Sequence, residues 1–219
     1  MPATIETPAG PVHAAFDDAP GSDVLVLLAP GAGGSLETPQ IAAFAAGLAS
    51  RGISAVRFNF PYIERGRKSP GSPKESVAAF RAVADAVRPR ATHLVLGGKS
   101  YGGRMASHLA AEGYASGGLV FLGYPLHAPA TPDRLRTEHL EAVGVPMLFL
   151  QGTRDKLADL ELLRPLLARV RPQPSLHVVE EADHGFHVPK RTGRSDDDVL
   201  DELCATFAAW SEERITDNG

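Results

Sequence analysis

The feature that most constrains the fold is an apolar run that passes directly into a glycine-rich turn and then a small-residue helix. Residues 94–104 read LVLGGKSYGGR, and Gly98, Ser100 and Gly102 form a G-x-S-x-G motif within it. A strand that turns this sharply into a helix strains the serine backbone, and glycines beside the serine remove side chains that would collide. We expect Ser100 Oγ to project beyond the strand as a nucleophile. The alternative is that this turn only connects the strand to the helix. Other residues of the chain must decide between a catalytic and a structural turn.

Short apolar runs alternate with segments of helical periodicity along most of the chain. The predicted strands are residues 24–28, 54–60, 93–96, 118–122, 146–150 and 175–179. This β-α-β alternation predicts an α/β fold with a mainly parallel, twisted sheet and helices on both faces. A chain of 219 residues fits one domain, residues 1–219, in which we interpret residues 1–20 as a peripheral N-terminal segment.

Capping residues mark the beginnings of three predicted helices. Thr38 stands before Pro39, which favours the first helical position. Ser72 and Glu75 have the spacing of a capping box. Ser195, followed by three aspartates, predicts the start of the last helix.

Three other segments have less regular patterns. Pro165 would interrupt the helical pattern of residues 156–170, so we expect a kink or two short helices there. Residues 131–143 are expected to form one surface helix. Residues 62–73 are rich in glycine, proline and basic residues, which predicts a mobile loop.

Composition excludes several classes of function. A net charge of −4 argues against general nucleic-acid binding. The single cysteine, Cys204, falls on the apolar face of the last helix and excludes a disulfide framework or a cysteine-based metal site. The chain has no long apolar stretch and residues 1–21 do not resemble a signal peptide, so we expect a cytoplasmic protein without membrane contact. We expect no metal or other cofactor, and a monomer or small homo-oligomer.

Glycine-rich turns raise the question of nucleotide binding. A Walker A loop ending at Ser100 would need glycine at position 93, where the chain has His93. A dinucleotide fingerprint beginning at Gly31 would need glycine or alanine at position 36, which is Leu36. The sequence therefore argues against both nucleotide sites.

A nucleophilic serine requires a histidine to accept its proton and an acid to orient that histidine. Asp155 follows the predicted strand 146–150 in the run QGTRD, and His184 follows the last strand in the run EEADHGF. Serine, acid and histidine occur in this chain order in α/β-hydrolases. We predict Ser100 as nucleophile, Asp155 as acid and His184 as base.

Asp183 and His187 are the competing choices. Asp183 is adjacent to His184, and neighbouring residues rarely aim their side chains at each other. His187 lies further from the end of the strand. Chain position therefore favours Asp155 and His184.

An oxyanion hole needs two backbone N–H groups directed at the attacked carbonyl oxygen. Tyr101, directly after the nucleophile, is expected to supply one. The loop LAPGAGG after the first predicted strand is expected to supply the other, with Ala32 the first choice and Gly33 the second.

The substrate pocket is expected to be shallow, because residues 123–144 leave no room for a sizeable lid domain. Tyr62, Tyr124 and His127 are its predicted substrate contacts. The predicted rim carries Arg65, Arg67, Lys68, Arg154, Lys156, Lys190 and Arg191. These charges would focus an anionic substrate, although solvated loop charges are the simpler interpretation.

The segments LAPGAGG, GGKSYGGRMAS, QGTRDKL and ADHGFHVPK together carry a family resemblance. The chain resembles a small α/β-hydrolase family of bacterial predicted hydrolases that also includes a testis-expressed protein and a subunit of a histone acetyltransferase complex. More distantly it is similar to dienelactone hydrolases, which have cysteine at the position of Ser100. The resemblance spans residues 24–210 and implies the same three catalytic residues. Pro30 departs from it, since other hydrolases often have histidine there.

These observations predict a serine hydrolase that cleaves an ester or thioester of a small acyl substrate through an acyl-enzyme. The same triad cleaves amides, so peptidase activity stays open. Some members of the resembling family serve as scaffolds, which implies the alternative of a catalytically idle hydrolase fold that binds a partner protein.

Overall fold

The computed structural model describes residues 3–128, 131 and 133–216, and an eight-stranded sheet forms its centre. The strands are β1 (Ala3–Ile5), β2 (Val12–Asp17), β3 (Val24–Ala29), β4 (Ser54–Phe58), β5 (His93–Lys99), β6 (Gly118–Leu122), β7 (Met147–Gly152) and β8 (Ser175–Val179). The α-helices are α1 (Pro39–Ala49), α2 (Pro61–Glu64), α3 (Pro73–Val87), α4 (Tyr101–Ala111), α5 (Leu160–Leu167) and α6 (Asp196–Ser211). Short 3-10 helices span Arg88–Arg90, Glu138–Ala142 and Lys190–Thr192, and a π-helical turn spans Glu212–Thr216.

The strand order is β1-β2-β4-β3-β5-β6-β7-β8. The six strands from β3 to β8 run parallel to one another, whereas β1 and β2 add an antiparallel edge beside β4. Every residue of β3 is buried, as expected for a strand covered on both faces. The structure therefore confirms the predicted mainly parallel sheet. Because the strands are parallel, the residues that follow β3, β5, β7 and β8 meet at one edge of the sheet.

Two apolar layers cover the two faces of the sheet. Phe80 of α3 and Met105 of α4 are fully buried in one layer. Phe44 of α1 and Phe207 of α6 lie in the other, where their rings pack edge to face with centroids 6.2 Å apart. Helices therefore lie on both faces, as the sequence predicted.

The N-terminal residues contribute more to the sheet than their sequence indicated. β2 pairs antiparallel with β4, and Ala14 lies opposite Phe58. Val12 and Ala14 are fully buried, so part of the segment interpreted as peripheral belongs to the core. The strand reads VHAAFD, with two alanines of low strand propensity and a histidine after its first residue, which weakened the strand pattern.

Two predicted helix caps are wrong in their chemistry although the helices begin where expected. Thr38 precedes α1, but its Oγ1 accepts a hydrogen bond from the Ser35 amide at 3.0 Å instead of capping the helix. Ser72 precedes α3 without a side-chain cap, and the Glu75 carboxylate pairs with Arg65. The predicted capping box is therefore absent, because an ion pair uses its carboxylate.

The last helix follows the sequence prediction closely. The Ser195 hydroxyl accepts from the Asp198 amide at 3.1 Å, and the Asp198 carboxylate accepts from the Ser195 amide at 2.7 Å. Cys204 is buried on the inner face, with Sγ 3.7 Å from the Phe44 carbonyl, and burial raises the pKa of its thiol to about 11. Cys204 therefore lies on the apolar face of the last helix, as the sequence predicted.

The two uncertain helical segments differ from expectation. Pro165 lies inside α5, which remains one eight-residue helix. In the segment 131–143 only Glu138–Ala142 is helical among the described residues, and Pro132 lies outside them. The Arg136 amide donates instead to the Leu126 carbonyl at 2.7 Å, so a long-range contact replaces the expected helical bond.

Two further features concern the periphery of the fold. Residues 123–146, which connect β6 to β7, contain no lid domain in their described part. The predicted loop 62–73 begins within α2 and ends at the start of α3. Among the helices described, none has the length and apolar character needed to cross a bilayer.

Candidate active site

Ser100 stands between β5 and α4 in a strained backbone conformation, with φ 49° and ψ −111°. A Cβ atom at either Gly98 or Gly102 would lie 2.1 Å from the Ala29 carbonyl oxygen, so neither position accommodates a side chain. The Ser100 amide donates to the Leu122 carbonyl at 3.1 Å. Close packing against β3 and this bond to β6 together hold the turn.

Asp155 and His184 form a hydrogen-bonded pair beyond the ends of β7 and β8. Asp155 Oδ2 lies 2.7 Å from His184 Nδ1, and the Asp155 side chain is fully buried. The Leu157 amide donates to Asp155 Oδ1 at 2.8 Å, and the Gln151 side-chain amide donates to Oδ2. A carboxylate held on Nδ1 places the proton on that nitrogen and leaves Nε2 as a proton acceptor.

The competing acid and base have other partners. Asp183 Oδ1 accepts from the amides of Gly185 and His187 at 2.8 and 3.0 Å and so shapes the loop around His184. His187 Nδ1 lies 2.9 Å from Asp196, and its side chain is 67 % exposed. Asp183 therefore does not orient His184, and His187 is not the histidine that Asp155 orients.

Lys99, directly before Ser100, is a site residue that the sequence analysis missed. Its buried ammonium donates to the His184 carbonyl and lies 5.6 Å from the centre of the Phe186 ring. Burial lowers the pKa of Lys99 to about 8, although the charges of Asp155 and Asp183 oppose the shift. The position of Lys99 inside the G-x-S-x-G motif could have indicated a role in the site. The sequence did not indicate that its ammonium would bind the His184 carbonyl.

Ser100 and His184 line the same cavity of about 380 Å³. The turn after β3 forms one wall, where a Cβ at Gly31 would lie 3.7 Å from Ser100 Cβ. Arg104 of α4 and Arg136 from the β6–β7 connection form another part of the lining. The cavity therefore joins the strained serine to the histidine pair.

The two predicted oxyanion donors of the β3 turn differ in their bonding. The Gly33 amide donates to the Tyr62 hydroxyl at 3.3 Å. Ala32 lines the cavity, and no hydrogen bond occupies its amide within the described part of the chain. Tyr101 also lines the cavity, at the first position of α4, where helix geometry leaves N–H groups without intrahelical partners.

The structure brings only one of the three predicted substrate contacts to the cavity. His127 lines it, with Nδ1 3.0 Å from the Ala128 carbonyl. Tyr62 and Tyr124 are buried in the core, and burial raises the pKa of both phenols. Tyr124 donates to the Arg136 carbonyl at 3.1 Å. Their positions after predicted strands correctly placed Tyr62 and Tyr124 at this edge of the sheet, but did not reveal that their side chains point into the core.

Several charges of the predicted basic rim are paired with acids. Arg191 lies 2.6 Å and Arg154 3.9 Å from the Glu181 carboxylate, and Arg65 pairs with Glu75. Such exposed pairs contribute little stability and reduce the local positive field. Among the described residues, no group of three His, Cys, Asp or Glu side chains is arranged to hold a metal ion.

Comparison with solved structures shows the same fold in other proteins. The chain is similar to an alpha-beta serine hydrolase homologue from Coxiella burnetii, with TM-score 0.75 and 20% identity over 94% of this chain and 96% of that chain. It is similar to a serine hydrolase without lid from Xanthomonas campestris, with TM-score 0.72 and 25% identity over 96% and 94%. It is also similar to a dienelactone hydrolase from Anabaena variabilis, with TM-score 0.77 and 18% identity over 98% and 97%.

A family model described as an alpha/beta hydrolase domain matches residues 22–212, which is most of the chain. The matched range runs from the residues before β3 through α6 and includes Ser100, Asp155 and His184. The chain therefore belongs to the alpha/beta hydrolase family.

Proposed function

We propose that this protein is a serine esterase or thioesterase that cleaves small acyl substrates through an acyl-enzyme. Ser100 acts as nucleophile, His184 as general base and Asp155 as the acid that orients it. The observation that carries the proposal is the 2.7 Å Asp155–His184 pair on the cavity that also exposes the strained Ser100. A strained serine and an oriented imidazole are the two groups that this chemistry requires.

In the proposed reaction His184 Nε2 accepts the Ser100 proton while Oγ attacks the substrate carbonyl carbon. The tetrahedral intermediate collapses when the imidazolium gives its proton to the leaving alcohol or thiol. Water then attacks the acyl-enzyme by the same route, and Ser100 regains its proton. Asp155 stabilises the imidazolium that forms twice in each cycle.

Ala32 and Tyr101 are the proposed oxyanion donors. Support for Ala32 over Gly33 comes from the Tyr62 hydroxyl, which already accepts from the Gly33 amide. Such N–H groups stabilise negative charge most in the transition state.

We also propose three narrower properties that the sequence predicts. These are a single domain over residues 1–219, a relationship to the bacterial hydrolases that include a testis-expressed protein and an acetyltransferase-complex subunit, and a cytoplasmic monomer or small homo-oligomer.

A fluorophosphonate probe provides the direct test. Wild-type protein is expected to react, whereas Ser100→Ala and His184→Gln are expected to react little or not at all. His187→Gln is the matched control, since His187 is exposed and pairs with Asp196 instead. Esters, thioesters and anilides of one acyl group would then define the leaving group. Absence of labelling from mild acid to mild base would contradict the proposal and favour a binding module without catalysis.

A further inference from the structure

Two arginines from different parts of the chain line the cavity that contains Ser100. Arg104 follows Ser100 by four residues on α4, so it lies one helical turn beyond the nucleophile. Arg136 comes from the connection between β6 and β7. Both side chains are only partly exposed, unlike the charges of the predicted rim.

Neither guanidinium has an acidic partner within the residues that the structure describes. No salt bridge joins Arg104 or Arg136 to a carboxylate, and Arg104 Nε is buried without a hydrogen-bond acceptor. Arg57 shows the usual arrangement for a buried arginine, with Nε 2.9 Å from the Asp17 carboxylate. Guanidinium groups that line a cavity without a carboxylate partner are available to bind an anion there.

The surroundings make this part of the cavity electropositive. Arg104 and Arg136 line both this cavity and the adjoining one. Burial lowers the pKa of Arg104, and the charge of Arg136 lowers it further. The Arg104 guanidinium carbon lies 5.6 Å from the centre of the Tyr101 ring, which supports its orientation. Glu138 lines the adjoining cavity but forms no salt bridge with either arginine among the described residues.

We propose that Arg104 and Arg136 bind an anionic group of the substrate, a carboxylate or a phosphate, while Ser100 attacks its acyl carbon. This inference rests on the proposed function and names the substrate class: an ester or thioester with a negative charge in its acyl or leaving group. Guanidinium groups suit this role because they donate parallel hydrogen bonds to both kinds of oxyanion. One bound anion would accept hydrogen bonds from both arginines and reduce their mutual repulsion.

Matched substrates test the proposal and distinguish the sources of charge. For the acyl side, mono-para-nitrophenyl glutarate is compared with para-nitrophenyl pentanoate, which replaces the carboxylate with methyl. For the leaving group, para-acetoxybenzoate and para-acetoxyphenyl phosphate are compared with para-tolyl acetate. At least one charged ester is expected to exceed its neutral partner by about tenfold or more in kcat/KM. Added salt should lower only the charged rates.

Three variants assign the preference to the two arginines. Arg104→Gln and Arg136→Gln are each expected to lower kcat/KM for the preferred charged ester by about 10- to 100-fold and for the neutral ester by less than about threefold. Arg169→Gln removes the same charge from an exposed turn after α5 and should change neither rate. If Arg104→Gln fails to fold, Arg104→Lys keeps the charge without the planar fork and should lose part of the preference.

The outcomes separate this inference from the proposed function. Fluorophosphonate labelling and neutral-ester turnover that depend on Ser100, without any preference for charged esters, would overturn the arginine site and leave the hydrolase intact. If neither labelling nor turnover occurs, calorimetric titration of wild type with glutarate and with inorganic phosphate still decides the matter. Binding that is lost in Arg104→Gln and Arg136→Gln supports the site, and equal or absent binding in all three proteins overturns it.

Discussion

Asp155 Oδ2 lies 2.7 Å from His184 Nδ1 in a position where the Asp155 side chain has no exposed surface. The same carboxylate accepts hydrogen bonds from the Leu157 amide and the Gln151 side chain, so its charge is buried but matched by donors. Because these donors lie on the same loop or strand end, the carboxylate is held before any substrate arrives. The orientation of His184 therefore follows from the fold itself.

Asp155→Asn is expected to lower kcat by about 10⁴-fold with little change in KM, because an amide on Nδ1 favours the wrong imidazole tautomer. Asp183→Asn is the matched comparison, since its side-chain oxygen can still accept from the Gly185 and His187 amides. Steady-state kinetics on a neutral ester would measure both. A large loss in Asp183→Asn with a small one in Asp155→Asn would reverse the assignment of the acid.

The sequence was sufficient to predict most of the sheet and the chain order of Ser100, Asp155 and His184. Parallel strands bring their carboxyl ends to one edge, so a residue that follows a buried strand can be assigned to that edge from its position alone. Gly98 and Gly102 were equally informative. Their spacing around Ser100 indicates a close backbone contact, with the Ala29 carbonyl, that leaves no room for side chains. β2 escaped prediction because two of its apolar residues are alanines, which have low strand propensity, and His13 interrupts the run.

What the sequence could not supply is the direction of side chains and their long-range contacts. Tyr62 follows a strand as expected, yet its ring turns into the core and its hydroxyl meets Gly33. Lys99 reaches the His184 carbonyl across 85 positions of chain, and Arg136 enters the cavity from an irregular segment. Local sequence patterns indicate the periodicity of a helix or strand and the residues that cap a helix. The contacts of Tyr62, Lys99 and Arg136 depend instead on how separate loops pack against one another.

The Lys99 ammonium should leave a signature in the pH dependence of stability. Its pKa falls from the ordinary 10.5 to about 8, so between these values the unfolded chain binds more protons than the folded protein. The free energy of unfolding of wild type should therefore rise with pH across this window relative to Lys99→Met, which lacks the titration. Denaturant unfolding of both proteins at several pH values measures the difference. A constant difference would show that burial does not shift this lysine, and Lys74→Met is the exposed control.

The strained backbone of Ser100 predicts a gain in stability when this serine becomes glycine. Ser100→Ala keeps the Cβ atom at φ 49°, whereas Ser100→Gly relieves conformational strain of about 1–3 kcal/mol and loses some of that gain to unfolded-state entropy. Ser100→Gly should exceed Ser100→Ala by about 1 kcal/mol in unfolding free energy. Chemical denaturation measures this, and equal stabilities would mean that the turn stores no strain at Ser100.

The Tyr62 hydroxyl is expected to position the turn after β3, which holds the proposed oxyanion donor Ala32, without contacting substrate. Tyr62→Phe removes the acceptor of the Gly33 amide, so the adjacent Ala32 should be held less firmly. Loss of one such hydrogen bond, worth about 0.5–1.5 kcal/mol, predicts a fall in kcat of about two- to tenfold with KM nearly constant. Tyr114→Phe is the matched control, because its hydroxyl bonds to Asp85 away from the cavity. A change confined to KM would indicate substrate contact instead.

Two serines at equivalent helix starts are expected to differ in their effect on stability. Ser195 caps α6 through reciprocal hydrogen bonds with Asp198, whereas Ser72 precedes α3 without a side-chain cap. Ser195→Ala should therefore lower the free energy of unfolding by about 1 kcal/mol, and Ser72→Ala by clearly less. Both positions are exposed, so packing changes little in either variant. Thermal or denaturant unfolding compares them, and equal losses would mean that the Ser72 hydroxyl caps α3 in solution as the sequence motif predicts.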